Sequence, residues 1–323
     1  MRPYWDEIEI PSIVELLRDA VLGNFDHLRA AQWARYHIPN TCKVAVVYLI
    51  SIFAIQHFMK NRAPFKLQGA LAAWNVFQCI VSILIVSNTL PELVSTLLNS
   101  GIRDVNCNTR FYEGNAGLWH FVFALSKVVD LADTYFLVLR KRPLIFLHYY
   151  HHAMVIYVGF YYYGYHFPTG RLVSIVNGFV HIWMYGYYAA RALHFKVPGW
   201  IARSITSIQI IQFQFGFCAA SLATADFLLD THCHFATPAV GIIGWVTDFS
   251  YAQDKIAECT ALFRFLVLFM RLYHTSYVAS GGKARYRDSF FKKQPAQLQT
   301  LTEDAEEKEE QSDENTLETP ASI

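Results

Sequence analysis

Seven apolar segments, each near the length of a membrane-crossing helix, recur along this chain of 323 residues. A helix needs roughly 20 residues to cross the hydrocarbon core of a bilayer. The segments fall at about 40–59, 70–90, 117–138, 144–165, 171–190, 204–229 and 256–278. Hydrophobic residues make up 54% of the chain and charged residues 16%, a balance typical of a multi-span membrane protein. The sequence therefore predicts an all-α membrane protein with seven transmembrane helices.

The placement of basic residues predicts the orientation of these helices. Lys and Arg concentrate in alternate connections, after the first, third, fifth and seventh segments. They are Lys60, Arg62, Lys66, Arg140, Lys141, Arg142, Arg191, Lys196, Arg203, Lys283, Arg285, Arg287, Lys292 and Lys293. Because cytosolic loops carry an excess of Lys and Arg, these connections and the C-terminus are predicted to face the cytosol.

The polar ends divide the chain into three predicted parts. Residues 1–39 form an N-terminal lumenal segment, 40–280 the membrane domain, and 281–323 a cytosolic tail that is first basic and then acidic. The acidic part lacks aromatic residues and is predicted to be disordered. Cys107 and Cys233 share the predicted lumenal side, where a disulfide is chemically permitted; two free thiols are the alternative.

Three histidines mark the start of the fourth segment, in the run His148-Tyr149-Tyr150-His151-His152. Their spacing of i, i+3 and i+4 puts them on one face of a helix. Ionisable groups inside a bilayer are costly and usually mark a functional site. Packing alone explains three histidines on one face poorly. Metal binding and nucleophilic or general-base chemistry by a neutral imidazole are the two interpretations that the residues leave open.

Polar groups also mark the neighbouring segments. The third carries Lys127, Asp130, Asp133 and Thr134, and the fifth carries Asn177, His181, Tyr185 and Tyr188. The first set is either a structural ion-pair network or a group that orients a substrate or a histidine. The sixth segment carries Thr206, Gln209 and Gln212, which hydrogen bonding between membrane helices would also explain. Adjacent segments with reactive groups predict one site shared across the bundle.

These motifs together make the chain resemble the very-long-chain fatty acid elongases, the membrane 3-ketoacyl-CoA synthases. The H-x-x-H-H box of that family corresponds to residues 148–152, and its H-x-x-M-Y-x-Y-Y box to 181–188. Its T-x-x-Q-x-x-Q box corresponds to 206–212. Its K-x-x-E-x-x-D-T box corresponds to 127–134, with Asp130 in place of the usual Glu. The sequences around 142–147 and 60–65 are similar to the branch that acts on saturated and monounsaturated chains.

The resemblance implies condensation of a long-chain acyl-CoA with malonyl-CoA, giving 3-oxoacyl-CoA, CO2 and CoA, in helices that enclose an acyl tunnel. It implies His151 as the nucleophile that forms an acyl-imidazole, with His148 or His152 as base or orienting group. His181 and Asn177 would stabilise the thioester oxygen or the enolate. Lys127, Asp130 and Asp133 would set the local charge.

The remaining expectations concern substrates, partners and location. Substrate-binding residues are expected to be Asn177, Tyr185, Tyr188, Gln209, Gln212, Arg140, Lys141, Arg142 and Arg203, the arginines and the lysine meeting CoA phosphates. The resemblance also implies the Cys107–Cys233 disulfide and the endoplasmic reticulum membrane. It implies the other elongation-cycle enzymes, a ketoreductase, a dehydratase and an enoyl reductase, as partners, and it leaves a homodimer open. No cofactor, no metal and no nucleic acid partner is expected.

Two alternatives belong to other classes. Membrane di-iron desaturases and hydroxylases also carry H-x-x-H-H boxes, but they need several, and this chain has one. A non-enzymatic seven-helix receptor gives no reason for a histidine triplet beside Lys127 and two aspartates. Bulky residues in the spans that should close the lumenal end of the tunnel, Phe160, Tyr161, Tyr162, Tyr163 and Phe217, favour saturated or monounsaturated acyl chains over polyunsaturated very long ones.

Overall fold

The computed structural model describes residues 10–228 and 263–279. These residues are helical and contain no β-strand, which confirms the all-α prediction. The helices are α1 (Ile13–Val21), α2 (His27–Met59), α3 (Gln68–Cys107), α4 (Gly114–Val129), α5 (Ala132–Leu139), α6 (Phe146–Gly164), α7 (Gly170–Ala192) and α8 (Gly199–Leu228). A further helix, α9, covers 263–273 and continues as a π-helical turn over His274–Ala279.

Two helices in the described part of the chain, α2 and α3, are each long and apolar enough to cross a membrane. Both exceed their predicted spans. Helix α2 contains Pro39 and begins at His27, where the Asp26 side chain accepts hydrogen bonds from two backbone amides and caps the helix. Helix α3 contains Pro91 and continues through a kink at Gly101, whose φ of 81° suits glycine.

The third predicted span, 117–138, is not one uninterrupted α-helix. The structure divides it into α4 and α5 at Asp130 and Leu131. Backbone hydrogen bonds there join residues three apart, with Asp133 N to Asp130 O at 3.2 Å and Thr134 N to Leu131 O at 3.2 Å. This tight 3₁₀-type turn redirects the carboxylates from the arc that a regular helix would give them. Short 3₁₀ stretches inside helices often lie at functional sites.

The helices pack mainly in pairs, α3 along α7 and α2 along α6, with α4 between α3 and α6. A glycine allows the close approach of α3 and α7, because a Cβ at Gly178 of α7 would lie only 2.9 Å from Val86 Cγ2 of α3. Small residues at helix contacts are a feature of membrane bundles. The polar residues of α3, α4, α6 and α7 therefore lie close together.

Large apolar side chains cover much of the outside of this bundle. On α2, Val47 is 64% exposed and Ile50 65%, and on α3 Leu98 is 78% exposed. A soluble protein rarely exposes contiguous apolar surface of this kind. The apolar helices and their apolar exterior are those of an integral membrane protein.

Hydrogen bonds bring the three described basic connections to one end of the bundle, called here the basic end. The Lys141 amine donates to the Lys60 carbonyl at 3.3 Å, and Phe65 N donates to Leu139 O at 3.0 Å. Gln68 joins two further elements, because it accepts from Arg140 at 2.7 Å and donates to the Ala192 carbonyl at 3.0 Å. The shared placement that the charge pattern predicted for these loops is present in the fold.

Several predicted features lie outside the described residues. They are 1–9, the end of the sixth span, the start of the seventh, Cys233, the basic residues from Lys283 to Lys293 and the acidic tail. The seven-span count and the N-terminal and C-terminal domain boundaries remain predictions.

Candidate active site

The histidine box occupies the first turns of α6, which begins at Phe146 just after the basic end. As the spacing predicted, the three rings cluster: His148 and His152 have ring centroids 4.5 Å apart, and His151 and His152 are 5.7 Å apart. His152 is buried, and His148 and His151 are half-buried. The helix therefore presents three imidazoles to the interior of the bundle.

One histidine of the box is hydrogen-bonded to α5. The Nε2 atom of His148 lies 3.0 Å from Oγ1 of Thr134, and that hydroxyl lies 2.7 Å from the hydroxyl of Tyr48 on α2. Tyr48 and Thr134 are both buried. The Thr of the 127–134 motif thus contacts the histidine box directly.

A buried ion pair lies beside the box. Lys127 Nζ donates to Asp130 Oδ2 at 2.9 Å and to Asn177 Oδ1 of α7 at 3.1 Å. Lys127 and Asp130 are only 4% and 3% exposed, so the pair is desolvated and each charge depends on its partner. The ammonium also lies 4.5 Å from the centroid of the Phe123 ring. These contacts form the predicted ion-pair network, and a role of Lys127 in orienting a substrate or a histidine remains a prediction.

The second aspartate is satisfied by neutral donors. Asp133 accepts from Tyr185 at 2.7 Å and from the Trp74 indole at 2.5 Å. Gln78 of α3 donates to Asp130 Oδ1 at 2.6 Å and lies 3.4 Å from the Tyr185 hydroxyl, which connects the two carboxylates. Neither carboxylate is hydrogen-bonded to a histidine in the described part of the chain. Through these hydrogen bonds the two aspartates connect the α4–α5 region to α3 and α7.

The fifth-segment histidine, His181, joins the same site. It lines a small pocket between α3, α4 and α7 together with Lys127, Asp130 and Gln78. The rest of the pocket is lined by apolar residues, among them Phe123, and by Ser82 and Ser126. The His181 ring also meets the Tyr185 ring edge-on at a centroid distance of 5.2 Å. His151, His152 and His181 all lie within electrostatic range of Lys127.

The opposite side of the box is apolar. The His151 ring is edge-on to Phe265 of α9 at 5.2 Å and to Phe213 of α8 at 6.2 Å. Nδ1 of His151 and Nδ1 of His152 are buried and have no hydrogen-bond partner among the described residues. An imidazole with an unengaged nitrogen in an apolar environment is available to act as a nucleophile or a base.

Several predicted substrate-binding residues lie away from this cluster. Tyr188 is 44% exposed. Gln209 donates to Met184 Sδ at 3.4 Å, and Gln212 is half-buried on α8 beside Phe213. Arg203 is exposed at the start of α8, with its guanidinium 5.5 Å from the Tyr277 ring. None of the four is hydrogen-bonded to the histidines, Lys127 or the aspartates within the described chain.

The predicted phosphate-binding residues are at the basic end. Arg140, Lys141 and Arg142 form the turn between α5 and α6, immediately before the histidine box. Lys141 adopts a left-handed φ of 53°, and partial burial lowers the pKa of its amine. The role of these three residues in binding phosphate remains a prediction.

The sequence did not identify five residues that complete the site. Trp74 and Gln78 share one face of α3 at i and i+4, and the Gln within an apolar span was a usable signal. Phe213, Phe265 and Tyr48 resembled ordinary apolar and aromatic residues of a span. Only the packing of α2, α8 and α9 against α6 gives them a place in the site.

Cysteines and metal ligands add two observations. Cys107 is disulfide-bonded, and Cys42, Cys79 and Cys218 are free. Because Cys233 lies outside the described residues, its pairing with Cys107 remains a prediction. Among the described residues, no group of three or more His, Cys, Asp or Glu side chains is arranged to hold a metal ion.

The fold and the site define a helical integral membrane protein with a histidine-rich site beside a buried Lys–Asp pair. Residues 33–285 match the ELO family, described as the GNS1/SUR4 family, and the chain belongs to that family. This confirms the resemblance drawn from the four motifs.

Three relatives illustrate the similarity. Long chain fatty acid elongase 1 of Caenorhabditis elegans is 35% identical over 268 residues, covering 82% of this chain and 87% of the relative. Very long chain fatty acid elongase 6 of Drosophila melanogaster is also 35% identical, over 80% of this chain and 79% of the relative. Very long chain fatty acid elongase 6 of Homo sapiens is 31% identical over 81% of this chain and 92% of the relative.

Proposed function

We propose that this chain catalyses the condensing step of fatty acid elongation through an acyl-imidazole on His151. Its family and its relatives support the activity: the chain is a fatty acid elongase that joins an acyl-CoA to malonyl-CoA as a 3-oxoacyl-CoA synthase. The observation that supports the mechanism is the position of His151. It lies between the other box histidines and an aromatic wall, and its Nδ1 has no partner within the described residues.

The first half-reaction makes the acyl-enzyme. A neutral imidazole nitrogen of His151 attacks the thioester carbon and the carbon–sulfur bond breaks. The CoA thiolate takes the proton released from the other ring nitrogen of His151 and leaves as the thiol. Phe213 and Phe265 exclude water from the product, and this shielding slows hydrolysis of an acyl-imidazole. His181 or the Asn177 amide stabilises the negative oxygen of the tetrahedral intermediate.

The second half-reaction forms the new carbon–carbon bond. Malonyl-CoA loses CO2, and the electron pair of the broken bond forms an enolate. The enolate carbon attacks the acyl carbon, the carbon–nitrogen bond to His151 breaks, and the departing ring takes up one proton from solvent to regenerate the neutral imidazole. Lys127 supplies a fixed positive charge near the developing enolate, while Asp130 and Asn177 hold its amine in place. No cofactor beyond the two CoA substrates is needed.

We further propose the arrangement of this enzyme in the membrane. Seven spans enclose an acyl tunnel, the basic end and the C-terminus are cytosolic, and the protein resides in the endoplasmic reticulum. Clustering of the basic connections at one end supports the orientation. Protease added to sealed microsomes should remove the acidic tail; a tail that survives until detergent is added would invert the topology.

The lumenal side carries the proposed disulfide between Cys107 and Cys233. The disulfide-bonded state of Cys107 supports this pairing. Non-reducing peptide mapping should recover the two linked fragments. Recovery of Cys233 as an alkylatable thiol from unreduced protein would remove the pairing.

We expect saturated or monounsaturated long chains as substrates. Phe160, Tyr161 and Tyr163 of α6 are buried, and a tunnel that ends against them is short. Each extra buried CH2 gains roughly 0.8 kcal/mol, but a clash at a closed end costs about 1–3 kcal/mol. Equal turnover of palmitoyl-CoA and a polyunsaturated twenty-carbon acyl-CoA would contradict this expectation.

The condensation itself is tested with purified protein in lipid. Incubation with palmitoyl-CoA and malonyl-CoA labelled at its free carboxyl should release labelled CO2 and give 3-oxostearoyl-CoA. Omission of palmitoyl-CoA is the control and should release little label. No CO2 release from the complete mixture would reject the condensing activity. The other elongation-cycle enzymes and a second copy of the chain are partners to be sought by cross-linking in microsomes.

A further inference from the structure

We propose that Tyr48, which belongs to none of the sequence motifs, is a positioning residue that determines which nitrogen of His148 carries the proton. The proposal rests on the proposed function, because it gives His148 a role in a reaction at the neighbouring His151. It concerns a chain of hydrogen bonds that runs from α2 through α5 to the histidine box on α6.

This chain of hydrogen bonds has two links, and both are buried inside the protein. The Tyr48 hydroxyl lies 2.7 Å from Thr134 Oγ1, and Thr134 Oγ1 lies 3.0 Å from His148 Nε2. Tyr48 is 1% exposed and Thr134 is 0% exposed. Water therefore has little access to either hydroxyl, and the protein supplies their partners.

Counting protons gives the chain a direction. Each hydroxyl has one proton, and a buried O–H that lacks an acceptor is costly. Within the described residues the Tyr48 hydroxyl has Thr134 as its partner, so Tyr48 donates to Thr134. The remaining partner of Thr134 is His148, so the Thr134 proton goes to Nε2. Because Nε2 accepts, neutral His148 carries its proton on Nδ1.

This direction divides the roles within the box. The lone pair of His148 Nε2 is engaged, so His148 does not act as a base through that atom. His152, whose ring centroid is 4.5 Å from that of His148 and whose Nδ1 has no partner among the described residues, is left as the base beside His151. His148 is then an oriented neutral imidazole with Nδ1–H as its donor.

A second tyrosine of the protein, Tyr135, provides a matched control for Tyr48. Tyr135 of α5 lies 2.6 Å from Ser51 Oγ of α2, so a second hydroxyl pair joins the same two helices. Tyr48→Phe and Tyr135→Phe each delete one such bond and keep the ring. Of these two tyrosines, only Tyr48 is connected to a histidine within the described residues. A loss of activity caused by weaker α2–α5 packing should appear in both variants. A loss of activity caused by a changed proton position on His148 should appear in Tyr48→Phe alone.

Steady-state kinetics per folded molecule is the first measurement. Tyr48→Phe should lower kcat about three- to tenfold with KM within about twofold of wild type, the range expected for one lost hydrogen bond. Tyr135→Phe should stay within about twofold in both parameters. Thr134→Val should lower kcat at least as much as Tyr48→Phe does. Thr134→Ser, which keeps the hydroxyl, should retain most of the wild-type kcat. Equal rates for Tyr48→Phe and Tyr135→Phe would overturn the proposal.

The tautomer is measured separately by NMR of protein labelled with 15N at histidine. Wild type should show a signal of a histidine protonated on Nδ1 that is absent from His148→Gln, and Tyr48→Phe should shift or broaden it. An Nε2-protonated His148 in wild type would overturn the proposal even if kcat falls. Incubation with acyl-CoA in the absence of malonyl-CoA distinguishes failure of the acyl-imidazole mechanism from failure of the proposed role of Tyr48. No acylated histidine in wild type would reject the acyl-imidazole, whereas acylation in wild type with Tyr48→Phe equal to Tyr135→Phe would reject only the role of Tyr48.

Discussion

The two sides of the histidine box differ in how their polar groups are satisfied. Toward α3, α4 and α7, the charged groups beside the box are all paired: Lys127 with Asp130 and Asn177, and Asp133 with Tyr185. Toward α8 and α9, the His151 ring meets two aromatic rings, and its Nδ1 has no partner within the described residues. A fully paired network is rigid and expensive to disturb, whereas an unengaged nitrogen is free to react. The comparison predicts that changes to the paired side will mainly cost stability, whereas changes at His151 will mainly cost activity.

The largest expected effect is on the reactive side. His151→Ala should reduce both CoA release from acyl-CoA and condensation on the order of 1000-fold or more, because it removes the proposed nucleophile. Stopped-flow detection of free CoA measures the first step. His166→Asn is the control: His166 is a loop histidine at the opposite end with a left-handed φ of 49°, which Asn tolerates. A comparable loss in both variants would mean that unfolding, not chemistry, is being measured.

The next effect is on the paired side and concerns stability. Lys127→Met should lower the free energy of unfolding by about 3–5 kcal/mol, because Asp130 is left buried without its ion-pair partner. Lys127→Met combined with Asp130→Asn should cost less than the sum of the single changes. Thermal unfolding in detergent reports both. Lys141→Met, a change of the same type at the basic end, should cost much less, and an equal cost would show that the buried pair is not special.

A smaller effect separates two tyrosines of one helix. Tyr185 donates to Asp133 and is buried, whereas Tyr188 is exposed. Tyr185→Phe should destabilise the protein by about 1–3 kcal/mol through the loss of a charge-assisted bond. Tyr188→Phe should stay within about 0.5 kcal/mol. Thermal unfolding in detergent measures both changes in stability. Equal changes for the two variants would contradict the hydrogen-bond network described around Asp133.

The smallest expected effect is on KM, and it differs between an arginine at the basic end and an arginine outside it. Arg203→Gln at the basic end should raise KM for acyl-CoA about two- to fivefold at low salt, with kcat unchanged, since it removes attraction for CoA phosphates. The difference should fade as salt screens the charges. Arg110→Gln, an exposed arginine outside the basic end, should leave KM unchanged. A KM that rises in both variants would remove the assignment of the basic end as the CoA side.

The sequence predicted what depends on spacing along one helix. The i, i+3 and i+4 histidines cluster, and Lys127 pairs with Asp130 three residues later. Family membership, too, was predicted from four short motifs. Alternate basic connections meet at one end because an even number of spans separates them, and this follows from counting alone.

What the sequence did not predict depends on contacts between distant segments or on the bend at Asp130. The predicted helix over 117–138 is interrupted by a 3₁₀-type turn at Asp130, beyond which Asp133 bonds to Trp74 and Thr134 to His148. Trp74 is 59 residues from its partner Asp133 along the chain. Periodicity carries no information about such pairs.

The central claim is that His151 is the nucleophile, and acyl trapping tests it most directly. Protein incubated with palmitoyl-CoA and no malonyl-CoA, quenched and digested, should carry one palmitoyl mass on the peptide that contains His151. Addition of malonyl-CoA before the quench should remove that mass and yield 3-oxostearoyl-CoA. A palmitoyl mass on a cysteine or on the His181 peptide, or free CoA with no acylated histidine, would contradict the account.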